Sequence, residues 1–343
     1  MSKSFSFSFF IVIGSILILL FSCQATKVPQ KKINGVSLVA ARDSLREKEV
    51  NPILAVNANA VALMPFAFLK TEGTPQLYFN QNRQWFGETV AGIEQSVKLL
   101  HQKDLQVMIK PQIWLRNGSF TGDLNFETEE NWQKFENDYR DYILLYARIA
   151  AERKVEFFCI GTELFNFVKE RPVFWRNLVS EIRKIYSGKI VYAENWDKID
   201  QIDLWVELDF IGVDAYFPIS EKISPEEEEI AEGWEKHLNL MQKLSRKYEK
   251  QILFTEYGYR STDYALKEPW NSGRENSSKN FNLQARALKV LYEEVWDENW
   301  FAGGFLWKWH QHEDSGGLEN DRFTPQNKPA EKIVQEYYGK FRN

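Results

Sequence analysis

Eight strand-length apolar runs, separated by stretches with helical periodicity, restrict the folds open to this chain more than any other feature. The runs are Ile33–Ala40, Ala60–Phe66, Leu105–Trp114, Val155–Glu163, Lys189–Trp196, Leu208–Phe217, Gln251–Tyr259 and Phe301–Trp309. Between them, Glu88–Lys103 carries Val90, Ile93, Val97 and Leu100 on one helical face. Thr128–Arg153 carries Trp132, Phe135, Tyr139, Tyr142, Ile143 and Tyr146, with Thr128 suited to cap it. Helical patterns also cover Val173–Tyr186, Glu228–Tyr248, Leu283–Asp297 and Lys328–Tyr338. Strands alternating with helices imply a parallel sheet, because parallel neighbours need a crossover connection. Eight such units in 343 residues predict an α/β fold, a single (β/α)8 TIM barrel over residues 33–343. No GxGxxG or GxxxxGK[ST] motif follows the first run, so a nucleotide-binding open sheet has no support.

The first 22 residues read as an address. Lys3 precedes an apolar stretch, Phe9–Phe21, that is short for a membrane span and suits a secretory signal. Leu20-Phe21-Ser22-Cys23 resembles a bacterial lipobox, with Cys23 as the lipidated first residue and residues 23–32 as a polar tether. This predicts an exported bacterial lipoprotein, membrane-anchored through Cys23. Gln24, where an Asp would favour inner-membrane retention, points to the outer membrane or cell surface. With Cys23 acylated, Cys159 has no disulfide partner. A net charge of −5 offers no basic surface for nucleic acid, and no cofactor or obligate protein partner is indicated.

In an eight-stranded barrel, chemistry sits at the C-terminal ends of the strands. The fourth run closes Gly161-Thr162-Glu163 and the seventh closes Phe254-Thr255-Glu256-Tyr257. Strict alternation puts Glu163 on the side of Cys159 and Gly161, and Glu256 on the side of Ile252 and Phe254. A carboxylate ending an apolar strand is costly to bury unless it is paired. Two of them facing each other across a barrel mouth suit glycoside hydrolysis. At a separation of about 5–5.5 Å, one attacks the anomeric carbon and the other protonates the leaving oxygen, with retention. The other strand ends agree: Lys110, Gln112 and Trp114; Asn195 and Trp196; Asp214 and Tyr216; Trp307 and Trp309. Indole rings stack on sugar C–H faces, and fixed polar groups hold hydroxyls. The 12 Trp of the chain make that reading natural, because four of them fall at these ends. His310 and His312 could suggest a metal, but Trp307 and Trp309 already occupy this end, so no metal is expected.

These stretches resemble the retaining glycosidases of the barrel clan with acid/base on strand four and nucleophile on strand seven. Within that clan they look most like the family 113 β-mannanases. The carrying segments are Ile33–Ser37, Ile109–Trp114, Ile160–Leu164, Phe210–Tyr216, Phe254–Tyr259 and Gly304–Trp309. The resemblance implies hydrolysis of β-1,4-mannosidic bonds in mannan or manno-oligosaccharides. It implies Glu163 as general acid/base, Glu256 as nucleophile, Tyr216 beside the nucleophile and Trp307 beneath the reacting sugar. Tyr257 is counted with the substrate-binding set. The clan's Asn before the acid/base is Thr162 here, so either another donor, with Asn195 the candidate, reaches the sugar 2-hydroxyl, or that hydroxyl is read differently. Exo-acting β-mannosidase activity, another β-glycanase, and a non-catalytic glycan-binding surface lipoprotein are the alternatives.

Overall fold

A computed structural model of the chain describes residues 31–81, 84–271 and 278–341. The expected signal segment, Cys23 and nearly all of the tether lie outside the described residues. Among those described, no helix is long and apolar enough to cross a membrane.

In chain order the elements are β1 (Ile33–Leu38), α1 (Glu47–Ala55), β2 (Ala60–Leu63), β3 (Phe66–Leu69), β4 (Tyr78–Phe79), α2 (Val90–His101), β5 (Gln106–Ile109) and β6 (Gln112–Leu115). They continue with α3 (Glu129–Glu152), β7 (Phe157–Thr162), α4 (Phe165–Glu170), α5 (Pro172–Ile185), β8 (Lys189–Asn195) and β9 (Ile211–Asp214). The last are α6 (Glu227–Tyr248), β10 (Ile252–Tyr257), α7 (Phe281–Val295), β11 (Phe301–Trp309) and α8 (Pro329–Lys340). Eight strands close into a barrel in the order β1-β11-β10-β9-β8-β7-β5-β2, and every neighbouring pair is parallel. The (β/α)8 expectation therefore holds.

Two expected strands turn out to be two strands each. The run Ala60–Phe66 breaks at Pro65, and Leu105–Trp114 breaks at Pro111. A proline lacks the N–H that continues a ladder. Each chain restarts beyond its proline as β3 and β6, which pair in parallel and are extended by β4 into a second, three-stranded sheet. The Tyr142 hydroxyl seals the break by donating to the carbonyls of Pro65 (2.8 Å) and Gln112 (3.1 Å).

Two layers of apolar packing hold the barrel. Small and medium side chains (Ala60, Ala62, Met108, Cys159, Val191, Ala193 and Leu253) together with the rings of Phe157 and Phe305 fill its inside. Larger ones, including Tyr139, Trp175, Trp205, Trp234 and Trp296, fill the space between strands and helices. Thr128 caps α3 as expected, its hydroxyl accepting from Asn131 N–H at 3.2 Å. Helix α1 escaped the periodicity reading because Pro52 lies inside it and its outer face is polar.

Bulges interrupt the alternation in the strands that matter most. Between Cys159 and Thr162, β7 takes three steps while β8 takes two. Between Phe254 and Glu256, β10 takes two while β9 takes one. Between Leu306 and Trp309, β11 takes three while β1 takes two. Each extra residue switches the face presented by the rest of its strand. Gly161 thus turns toward the helices, where an added Cβ would sit 2.8 Å from both the Trp175 ring and the Tyr139 hydroxyl. Ile252 and Phe254 also face the helices, so Glu256 does not share their side.

The same phase change relocates two expected substrate contacts. Tyr257 is fully buried among the helices, its hydroxyl 3.0 Å from that of Tyr292 and 2.6 Å from that of Tyr338. Trp309 is buried in the outer core, and its carbonyl accepts from Val39 N–H at 2.8 Å. Neither reaches the mouth. Tyr257→Phe should therefore cost about 1–2 kcal/mol of stability through its lost hydrogen bonds and leave KM for glycans unchanged. Denaturant unfolding and steady-state kinetics check this, and a raised KM at full stability would return Tyr257 to the binding set.

Candidate active site

The bulge in β10 brings Glu256 into the mouth beside three donors. Lys110 Nζ donates to its Oε1 at 2.6 Å and Gln112 Nε2 donates to the same oxygen at 3.0 Å. The Tyr216 hydroxyl donates to Oε2 at 2.8 Å. Both carboxylate oxygens are thus oriented. Lys110 and Gln112 flank Pro111, so the proline break sets the two donors over one acceptor.

Lys110 is also bonded to Asp214, at 3.1 Å and 3.4 Å to its two oxygens, and Thr255 Oγ1 donates to Asp214 at 2.7 Å. Lys110 and Asp214 are wholly buried. Burial works against the ammonium form of Lys110, but the Asp214 and Glu256 charges outweigh it and push its pKa well above the usual lysine value. For Asp214, burial and then the neighbouring Glu256 charge win over Lys110 and raise its pKa to about 7.

Glu163 sits opposite in chemistry. Among the described residues no side chain hydrogen-bonds its carboxyl group. Burial, followed by the Asp214 and Glu256 charges, pushes its pKa well above the ordinary carboxyl value. Its backbone adopts the left-handed conformation, φ 51°, which costs a non-glycine residue about 1–2 kcal/mol. The corner is pinned on three sides. Glu163 N–H donates to Ala193 O at 2.8 Å, Leu164 N–H donates to the Tyr192 hydroxyl at 2.7 Å, and Thr121 Oγ1 donates to Glu163 O at 3.3 Å.

One carboxylate held by three donors, facing a carboxyl group whose protonated form burial and neighbouring negative charge favour, matches the two-carboxyl arrangement of a glycosidase. The sequence model of Glycoside Hydrolase Family 113 matches residues 39–328. The chain belongs to glycoside hydrolase family 113.

Solved structures agree on the fold of this family 113 enzyme. A GH113 β-1,4-mannanase determined as a complex superposes with a TM-score of 0.78 at 22% identity, covering 90% of this chain and 99% of that one. The GH113 β-mannanase AaManA from Alicyclobacillus acidocaldarius, in complex with ManMIm, gives 0.77 at 23% identity, with 90% and 97% covered. A Faecalibacterium prausnitzii β-glucuronidase gives 0.60 at 13% identity, covering 91% of this chain and 49% of that one. A search of curated proteins returns no match.

Other expected residues of the family 113 enzyme fall in different surroundings. Asn195 lies on the barrel-facing side of β8, paired in register with Asp214, and its amide oxygen is buried with no hydrogen-bond partner among the described residues. Trp307 is half-buried at the end of β11, with Lys308 Nζ 5.3 Å from its ring centroid. Trp196 packs against Phe217 and His237 and stacks on Trp270 at 5.4 Å. Trp114 stands 56% exposed on the second sheet rather than at the barrel mouth.

Sequence reasoning passed over Thr255, Tyr192, Glu194 and Lys308. Glu194 is fully buried; it accepts from the Tyr192 hydroxyl at 3.1 Å and from Asn195 N–H at 2.9 Å. Its burial outweighs those donors and raises its pKa to about 8. A charged residue just before Asn195 at a strand end was the available signal. His310 is fixed through its backbone, with Gln326 accepting from its N–H at 2.6 Å and donating to its carbonyl at 3.1 Å.

Replacing the buried ammonium tests these electrostatics. Lys110→Met leaves Asp214 beside Glu256 with no cation between them and should destabilise the enzyme by about 3–5 kcal/mol at pH 8. The native Asp214 pKa, already raised to about 7 in the wild type, loses its opposing charge in the variant and rises further, so above about pH 7 the native variant holds a proton that the native wild type has released. The deficit should therefore grow as pH rises above about 7 and level off at its smaller value below it. Denaturation at pH 5 and pH 8 checks this; an equal deficit at both would contradict it.

Proposed function

We propose that this family 113 enzyme hydrolyses β-1,4-mannosidic bonds with retention, using Glu256 as nucleophile and Glu163 as general acid/base. The contrast between the two carboxyl surroundings carries the reading. Glu256 accepts three hydrogen bonds as a carboxylate, while burial and neighbouring negative charge favour the protonated form of Glu163. The mannanases among the solved relatives support mannan as the substrate.

In the first step a Glu256 oxygen bonds the anomeric carbon as the glycosidic C–O bond breaks. The departing oxygen takes its proton from Glu163. In the second step Glu163, now a carboxylate, takes a proton from water, and the hydroxide oxygen displaces Glu256 from the sugar. Tyr216, Lys110 and Gln112 keep the nucleophile aimed. Trp307 supplies a face for the reacting ring, and the Asn195 amide is the donor to its 2-hydroxyl. These groups accomplish both steps by proton transfer and covalent catalysis.

We also propose that the mature enzyme is a lipoprotein held through Cys23, supported by Leu20-Phe21-Ser22-Cys23 after an apolar stretch. Cys23→Ser should shift the enzyme from the membrane to the soluble fraction on cell fractionation; unchanged membrane association would contradict the anchor.

For the chemistry, NMR of early products from a manno-oligosaccharide should show the β-anomer first, and inversion would exclude the scheme. Glu256→Ala and Glu163→Gln should each lower kcat on mannan by about 10²–10⁴-fold with folding intact. Glu163 acts as an acid only while protonated, so wild-type kcat/KM should fall as pH rises through its raised pKa. Glu163→Gln should lose that alkaline limb, and should keep its glycosylation step on aryl glycosides whose leaving group needs no proton. A limb that persists in Glu163→Gln belongs to another group.

A further inference from the structure

We propose that the second sheet carries a glycan-binding subsite, formed by Trp114, Phe68, Tyr78 and Trp85, that holds the substrate chain beyond the cleavage point. This rests on the reading of the enzyme as a hydrolase of a β-linked glycan.

The sheet's two faces differ. Ala67, Leu69 and Leu115 point inward and are buried, whereas Phe66, Phe68, Gln112 and Trp114 share the opposite face. Phe66 lies opposite Gln112, Phe68 opposite Trp114, and Tyr78 opposite Phe68. Gln112 is the residue whose amide reaches Glu256 at 3.0 Å. Trp114 comes two residues later on the same face, about 7 Å along the strand. The open face of the sheet is therefore continuous with the nucleophile.

Aromatic side chains stand exposed on it, uncovered among the described residues. Tyr78, Trp85 and Trp114 keep 40%, 44% and 56% of their surface open. With Phe68 and the polar Glu88 and Arg116, they line a groove of about 430 Å³, inside the range of roughly 300–1,000 Å³ typical of ligand sites. Trp85 is not a loose residue. Gly87 N–H, two residues on, donates to Ala41 O at 3.0 Å, and the Arg42 guanidinium lies over the Trp85 ring, 5.6 Å from its centroid. An apolar protein partner would be poorly served by this groove, where charged groups stand among the rings. A sugar chain suits it: its C–H faces stack on rings while its hydroxyls meet Glu88 and Arg116. Mannan leaving the catalytic pair along the Gln112–Trp114 edge would lie across these rings.

The test compares a long and a short substrate. Trp85→Ala should raise KM for mannohexaose about tenfold, equivalent to about 1.4 kcal/mol, with kcat unchanged. The same variant should leave kcat/KM for an aryl β-mannobioside as in the wild type, because that substrate does not reach the groove. Tyr78→Ala should behave alike and serves if Trp85→Ala fails to fold. Equal losses on both substrates, or none on either, would overturn the subsite while leaving the mannanase reading intact. Should the wild type cleave another β-glycan instead, the mannan assignment fails. The same comparison with that glycan's hexasaccharide and its short aryl glycoside then decides the subsite on its own.

Discussion

The ammonium of Lys110 lies between the carboxylates of Asp214 and Glu256, out of contact with solvent. Two carboxylates brought together in a dry barrel cannot both ionise without a cation between them. Lys110 lets the mouth hold this charge, and its second bond fixes which oxygen of Glu256 is engaged. Tyr216 and Gln112 complete the orientation from separate strand ends, so the Glu256 carboxylate is held by groups whose own positions are set by the barrel. Glu163 belongs to the same electrostatic unit from the other side, because the negative charge at Asp214 and Glu256 is part of what favours its protonated form.

Backbone irregularity is what places these groups. A barrel of evenly alternating strands would turn Glu256 toward the helices with Phe254, and give Gly161 a side-chain position inside the barrel. One extra residue in each of β7 and β10 reverses this. The left-handed turn at Glu163 is retained because Glu163 N–H, Glu163 C=O and Leu164 N–H each find a partner. Pro65 and Pro111 do similar work, ending two barrel strands early and letting the chain build an additional sheet next to Glu256.

Much of this was legible in the residues, and the missing parts share one cause. The barrel could be read because Val, Ile and Phe runs alternate with helical faces such as Val90–Leu100 and Trp132–Tyr146. Glu163 and Glu256 could be read because an acid ending an apolar strand is an exception that needs a reason. Strand phase could not be read, because a bulge is a matter of pairing register and leaves no mark in composition. Tyr257 and Trp309 were therefore assigned to the mouth when they pack outside the barrel, and Thr255 was overlooked although it braces Asp214. The two prolines were visible, but only pairing of β3 with β6 reveals that the chain continues beyond them as a separate sheet. Glu194 was passed over because its partner, the Tyr192 hydroxyl, has significance only once Leu164 N–H is seen to bond it.

The division of labour between the two carboxyl groups is the central claim, and trapping the covalent intermediate tests it most directly. Incubating the enzyme with a 2-deoxy-2-fluoro-β-mannosyl fluoride, then digesting it and mapping the peptides by mass, reports which residue attacks the sugar. The account predicts one fluoromannosyl group, attached to the peptide that contains Glu256 and absent after Glu256→Ala. A label on Glu163, or turnover of the reagent with no covalent adduct and an inverted product, would contradict it.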